Sequence, residues 1–255
     1  MVAWDGTGRY DDDVGVTYPG ESGEYRAARD ALLEREIALR RETEAIAAAR
    51  RALPPGGLVG EDYVFHELDT DGRRVPVRLS ELFGDADTLV TYSMMFPREP
   101  ADSRAAPESS AVALLPLLDG PCPSCTSILD QTDGAVRHLG TDVPFVVIAK
   151  APIEQVGAFA RDRGWRHLRL VSAAGSTYQR DYNAEAPDGR QLPMLNVFRR
   201  DADGLRHFWG SELFYAPTDP GQDPRHVAVI EPAWGLLDLT PAGREPDDAT
   251  RFSYR

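Results

Sequence analysis

TLVTYSMMFPREPADSRAAPESSAVALLPLLDGPCPSCTSILDQTDGAVRHLGTDVPFVVIA, residues 88–149, is the stretch that decides the fold. It opens on Thr88–Phe96 and closes on Val143–Ala149, two apolar runs of the kind that form strands buried on both faces. Between them Ile128, Leu129, Thr132, Ala135, Val136 and Leu139 recur at helical spacing. Strand, helix and strand in that order predict a βαβ unit, with Cys122-Pro123-Ser124-Cys125 at the entrance of the helix.

Upstream, Tyr63–Leu68 alternates as a strand, Asp71-Gly72 reads as a turn, and Val75–Leu79 completes a hairpin. Ser80–Gly84 reads as a short helical turn with Ser80 as its cap. Downstream, Pro152–Arg163 predicts a helix ended by Gly164, and His167–Ser172 a further strand. Leu195–Arg200 and Leu205–Gly210 flank the Asp203-Gly204 turn as an antiparallel hairpin. Val227–Leu239 reads as a last helix or a docking segment. Pro97–Pro121, rich in Pro, Ala, Ser and Asp, is a connection of a length that is uncommon unless functional or disordered.

At the N-terminus, residues 1–21 read as a flexible arm and residues 22–54 as a helical extension, with Leu32, Leu39, Ile46 and Leu53 every seven residues and Pro54 ending it. That stripe suits a helix laid on its own domain or a homodimer-forming arm. Residues 55–245 then form one α/β domain in which 97–121 is an inserted loop, and residues 246–255 a tail.

The chain has 255 residues and a net charge of −13, which repels nucleic-acid phosphates and anionic lipid. No apolar run approaches the roughly 18 residues that span a bilayer, and acidic residues stand where a signal peptide carries positive charge. A cytoplasmic protein is expected, with neither nucleic acid nor membrane as partner. Lys150 is the sole lysine among 28 cations, and capping a strand end suits it better than tuning a thiol. Asp130 and Asp133 are expected to be solvated.

Two cysteines are too few for a disulfide scaffold, so their spacing carries the information. Thiols three residues apart on the first turn of a helix can close a disulfide, and the free N–H groups and dipole there stabilise a thiolate. Cys122 then attacks a substrate disulfide and Cys125 resolves the mixed disulfide, while Pro123 and Ser124 tune the helix end and border the substrate. The same spacing also suits half of a zinc site, a copper site, or two reduced core cysteines; a copper-handling arrangement with His207 fits less well, since it would set the cysteines four apart rather than three. The histidines His66, His138, His167, His207 and His226 are scattered singly, so no metal and no organic cofactor is expected. Leu192-Pro193-Met194 places a proline just before a buried strand, either an ordinary trans-proline at a strand start or a cis-proline that offers a backbone edge to substrate.

The order of YVFHELDTDGRRVPVRLSELFG, TLVTYSMMF, CPSC, VPFVVIAKAPIEQVGAFARDRGW and LPMLNVFRRDADG resembles the peroxiredoxin and thioredoxin-like superfamily. The flanks resemble more closely the bacterial group known as domain of unknown function 899: Arg50, Arg51, Leu53 and Pro54 close the long N-terminal helix, and Leu237–Arg244 matches a C-terminal signature. The resemblance covers residues 24–245. It implies an α/β, thioredoxin-like fold, a central mixed sheet flanked by helices with a long N-terminal helix. It also implies a dithiol-disulfide oxidoreductase with Cys122 as nucleophile, Cys125 as resolving thiol, and a disulfide-containing substrate or thiol reductant as partner. Pro97–Pro121 departs from the family pattern as a longer connection. Peroxidase chemistry would want Thr or Ser three residues before the first cysteine, where Asp119 stands. A different class remains open: a non-catalytic binding protein using a pocket under the 97–121 loop, with inert thiols.

Overall fold

The computed structural model describes residues 16–107, 111–220 and 231–243. The chain divides into two compact units, Met1–Pro54 and Pro55–Arg255. The first carries α1 (Gly23–Arg51), capped by Ser22, whose hydroxyl accepts the Tyr25 N–H at 3.1 Å. Arg26 pairs with Asp30 one turn on at 3.0 Å, as the spacing of charges on a helix allows. Most of the flexible arm read at residues 1–21, and the whole 246–255 tail, lie outside the described residues.

The second unit is built on a seven-stranded mixed sheet ordered β2-β1-β5-β4-β3-β6-β7. The outer hairpin pairs β1 (Val64–Leu68) with β2 (Arg74–Arg78), its turn made by Gly72 at φ 75°. Then come α2 (Leu79–Leu82) and β3 (Thr88–Met94). Ser80 does not cap α2: Arg78 holds the cap position, its N–H donating to Glu81 at 2.6 Å, and the Ser80 hydroxyl bonds Asp62 instead.

The βαβ unit is as read: β3, α3 (Pro123–Val136) and β4 (Phe145–Ala149), the two strands parallel from Val90–Phe145 to Met94–Ala149. Next are α4 (Ile153–Arg163), closed by Gly164 at φ 76°, β5 (Arg169–Ser172) parallel to β4, and α5 (Tyr178–Asp181). β6 (Met194–Asp201) returns antiparallel to β3 and turns into β7 (Gly204–Gly210). α6 (Pro232–Asp238) falls within the expected last segment, of which residues 227–230 lie outside the described residues.

Alternation explains why β4 is apolar throughout. Val147 and Ala149 pack with Tyr92, Met94, Ile128, Leu129 and Phe159 in the core that holds both cysteines. Val146 and Ile148 point the other way, to Phe65, Leu89, Tyr178 and Phe198. A strand with both faces covered has no polar side to show. This is the thioredoxin-like arrangement: a mixed sheet flanked by helices, with the βαβ unit at its centre and the β6–β7 hairpin at one edge. Among the described residues no helix is long and apolar enough to cross a membrane.

Asp130 is exposed as expected but also bonded, and Asp133 is half-buried and bonded rather than solvated. Asp130 accepts from the Arg163 guanidinium and from Trp165 Nε1 at 2.8 Å. Asp133 Oδ1 accepts the backbone N–H groups of Arg166 (2.9 Å), His167 (2.9 Å) and Leu168 (3.2 Å), and Oδ2 meets His167 Nδ1 at 3.0 Å. The connection between α4 and β5 has no helical or strand partner for these N–H groups, and a carboxylate projecting from α3 supplies one. Burial pushes the Asp133 carboxyl up, but the bonds from His167, Leu168 and Arg166 outweigh it and hold it below the ordinary carboxylate value. A depressed carboxylate stabilises the fold above its unfolded value, about 3.9, and that contribution is lost as pH falls through the lower folded value. Asp133→Asn is expected to cost about 1–3 kcal/mol near neutrality and little at acid pH, read by urea unfolding at both.

Candidate active site

The CxxC sits where β3 hands over to α3. Cys122 is the N-cap of α3, with Pro123 as the first helical residue, where its missing N–H costs nothing. The Cys122 N–H donates to Met95 O at 2.9 Å, tying the cap to the end of β3. Its carbonyl accepts from the Thr126 N–H (3.0 Å) and hydroxyl (2.9 Å). The helix start is therefore held from both sides, and the Cys122 sulfur lies at the positive end of α3.

Both cysteines are free thiols and each is 1% exposed. They are chemically unequal. A hydrogen bond from the Cys125 thiol favours the Cys122 thiolate; burial opposes it, and the Cys125 backbone N–H and the Arg104 guanidinium add to the lowering, leaving Cys122 at about 7. Cys125 goes the other way: burial pushes it up, and so does its bond to a negatively charged Cys122. Tyr92 on β3 donates its hydroxyl to Cys125 Sγ at 3.3 Å, and burial raises that phenol too. One sulfur is prepared to be an anion and the other to stay protonated.

The cation at the thiolate comes from the 97–121 connection. Arg104 Nη2 reaches Cys122 Sγ at 3.7 Å, and Nη1 donates to Ser124 Oγ at 2.8 Å. Asp102 grips the same guanidinium by two bonds, 2.8 Å from Nε and 2.7 Å from Nη2. The loop is pinned in turn by the buried Arg98, which donates to Arg104 O at 2.6 Å while its N–H donates to Gly120 O at 2.8 Å. The stretch before CPSC thus delivers the site's guanidinium, although residues 108–110 lie outside the described residues.

Glu231, at the head of α6, is 2% exposed and accepts from Ser127 Oγ on α3 at 3.3 Å. Burial pushes its carboxyl up to about 7. Arg104, Asp102, Tyr92 and Glu231 were not singled out from the sequence. The only sequence signal for the first two was the unusual loop that carries them.

Pro123 is buried in the first turn of α3 and Ser124, half-buried, is bonded to Arg104. Pro193 is buried just ahead of β6, one residue beyond the Ser93–Met194 pair at the end of β3. Of the two geometries open to it, its bond is not the cis one. Among the described residues that geometry falls at Phe96–Pro97, where the chain leaves β3. The approach to Pro193 is held extended by the Leu192 N–H on Ala184 O at 2.9 Å and the Glu185–Gln191 bridge, and a trans bond continues that path into β6. Lys150 pairs with Glu185, so the cation described at the thiol is Arg104.

His207, weighed for copper, bonds Asn196 at 2.8 Å and lies against Tyr182 and Phe198. Among the described residues no three His, Cys, Asp or Glu side chains are grouped to hold a metal ion. A cleft of about 720 Å³ lies between the Asn183–Leu192 and Glu212–Ala216 stretches and is lined by no described residue of the 97–121 loop.

A dithiol at the head of the helix that joins the two central parallel strands, on this sheet, defines the class as a thioredoxin-like protein. The profile of the family described as "Bacterial protein of unknown function (DUF899)" matches residues 16–255, and the chain belongs to that family. No curated protein matches it. Among solved structures, peroxidoxin BcpB from Mycobacterium tuberculosis is 17% identical, with a TM-score of 0.39 over 72% of this chain and 98% of its own. Thioredoxin peroxidase I from Plasmodium yoelii is 13% identical, with a TM-score of 0.41 over 76% of this chain and 98% of its own. The bacterioferritin comigratory protein of Xanthomonas campestris is 12% identical, with a TM-score of 0.41 over 69% and 94%. Likenesses of this size carry nothing about activity.

Proposed function

We propose that the chain is a cytoplasmic thiol-disulfide oxidoreductase that cycles Cys122 and Cys125 between dithiol and disulfide. The observation that carries this reading is the unequal setting of two free thiols at the head of α3: the Arg104 guanidinium reaches Cys122 Sγ at 3.7 Å and favours it as the anion, while burial keeps Cys125, whose Sγ accepts from the Tyr92 hydroxyl at 3.3 Å, the thiol. The optimum attacking thiol has a pKa near ambient pH, which is where Cys122 stands. The Cys122 thiolate attacks one sulfur of R–S–S–R′, forming Cys122–S–S–R and expelling R′–S⁻. Cys125 then loses its proton and attacks Cys122 Sγ. The intramolecular disulfide forms and R–S⁻ leaves, to be protonated as R–SH. The dithiol is oxidised and the substrate reduced by two electrons. Pro123, Ser124 and the backbone ahead of Pro193 border the place where substrate meets Cys122.

Reduced protein mixed with an aromatic disulfide is expected to release about two thiols per chain in a single turnover. Release of none under conditions that keep the fold intact would overturn the reading. The burial of both sulfurs favours a second reading, a closed and inert dithiol in a binding protein, and the same mixing experiment separates the two.

A further inference from the structure

The second step of the exchange asks the most of the fold, because the sulfur that must then become an anion is the deeper of the two. Cys125 lies in the core with Met94, Ile128 and Leu129, where a bare thiolate is costly. In the reduced protein its proton serves the bond to Cys122 Sγ. Once Cys122 is tied to R in the mixed disulfide, that thiolate is gone, and with it the bond and the charge that hold the Cys125 proton in place. Burial stays and still opposes the anion, so only donors aimed at the sulfur can offset it. The Met95 backbone N–H is one, and the Tyr92 hydroxyl, 3.3 Å from Cys125 Sγ, is the other.

The pleat of β3 puts the hydroxyl there. Alternation sends Thr91 and Ser93 to Tyr178 and Gln179 on one face of the sheet and Tyr92 to the face that packs on α3. Tyr92 is paired on both sides, with Val147 of β4 and Leu195 of β6, and its ring is fully buried, so the position of the donor is fixed. Burial pushes the phenol well above its ordinary value, and the hydroxyl keeps its proton.

We propose that Tyr92 is a catalytic residue of the resolving step, its hydroxyl donating a hydrogen bond to the charge that develops on Cys125 Sγ as this sulfur attacks the mixed disulfide. The inference rests on the exchange chemistry above and deepens it. In this step Cys125–SH and Cys122–S–S–R give the Cys122–Cys125 disulfide and R–SH. The bond from Cys122 Sγ to the sulfur of R breaks, the bond between the two cysteine sulfurs forms, and the Cys125 proton ends on the departing R–S⁻. Tyr92 gives up no proton. Its bond does little for the first step, where the anion is Cys122 and the group facing it is Arg104. An unequal effect on the two steps is the mark of this role.

The test is stopped-flow mixing of the reduced full-length protein with a symmetric aromatic disulfide, in enough excess that attack is the faster step. One thiolate is released on attack and a second on resolution. Tyr92→Phe keeps the ring in the core and removes the donor. Its first release is expected at the unaltered rate. Its second should slow about threefold, because about tenfold less Cys125 thiolate is partly offset by the greater reactivity of a more basic sulfur. Mixed disulfide should then gather in acid-quenched samples as added mass. A fluorinated tyrosine at position 92, a stronger donor of nearly the same shape, should speed the second release, which a packing role would not do; it also serves if Tyr92→Phe fails to fold. An unchanged second release in the folded variants, or equal slowing of both steps, would overturn the role of Tyr92 and leave the exchange standing. No release from the unaltered protein would overturn both.

Discussion

Cys122→Ser is expected to abolish disulfide exchange, a loss on the order of a thousandfold or more, because a serine hydroxyl carries no usable anion at neutral pH. Cys125→Ser should fail differently. Its Cys122 still attacks, but no second thiol follows, so the mixed disulfide accumulates and is visible as added mass. The contrast follows from position: Cys122 caps α3 under Arg104, whereas Cys125 lies one turn deeper beneath Tyr92. Cys125→Ser also removes the thiol that bonds the Cys122 sulfur, so its Cys122 should ionise at higher pH. Equal rates for Cys122→Ser and the unaltered protein would remove Cys122 from the chemistry.

Arg104→Gln should move the pH profile more than any single rate, and the sign of its effect depends on pH. The guanidinium favours the Cys122 thiolate, so losing it raises the Cys122 pKa from about 7, by roughly one unit if the charge-assisted bond is worth about 1.5 kcal/mol. The thiolate present at pH 7 then falls about fivefold, but a more basic thiolate is intrinsically more reactive, and the net loss of rate is only about twofold. Above about pH 9, where both proteins are ionised, the variant should be the faster one. A pH profile of single-turnover exchange therefore discriminates where one rate at pH 7 does not. Arg104→Lys keeps the charge but cannot reproduce the two-pronged grip on Asp102, so it should fall between. A profile that does not move would leave Arg104 as a loop anchor only.

The parts of this molecule that could be read in the sequence are those whose cause is local. Phe145–Ala149 announces itself because a strand covered on both faces can carry almost no polar residue, whereas Thr88–Met94 also buries Thr91 and Ser93, whose hydroxyls bond Tyr178 and Gln179. The helix after CPSC is visible because its apolar residues repeat at helical spacing, and the pair of thiols because their separation is itself the chemistry. What escaped depends on partners brought together through space. Arg104 is one of many arginines and becomes distinctive only because Asp102 and Arg98 aim it at Cys122. Glu231 stands far along the chain from the CPSC motif, with no motif around it. Asp133 was read as solvated since nothing nearby in the chain needs it, yet the turn into β5 does. The place of Pro193 before a strand allows either bond geometry, and the cis bond falls instead at Phe96–Pro97, at the same end of the β3–β6 pair.

The most direct measurement is a redox titration of the purified protein against glutathione, with alkylation and intact mass counting free thiols at each poise. If Cys122 and Cys125 are an exchanging couple, both thiols disappear together at one potential, in the range of about −270 to −120 mV spanned by known dithiol oxidoreductases. If both stay alkylatable at every poise, or resist alkylation in the fully reduced protein, the pair is not a redox couple and the proposed function is wrong.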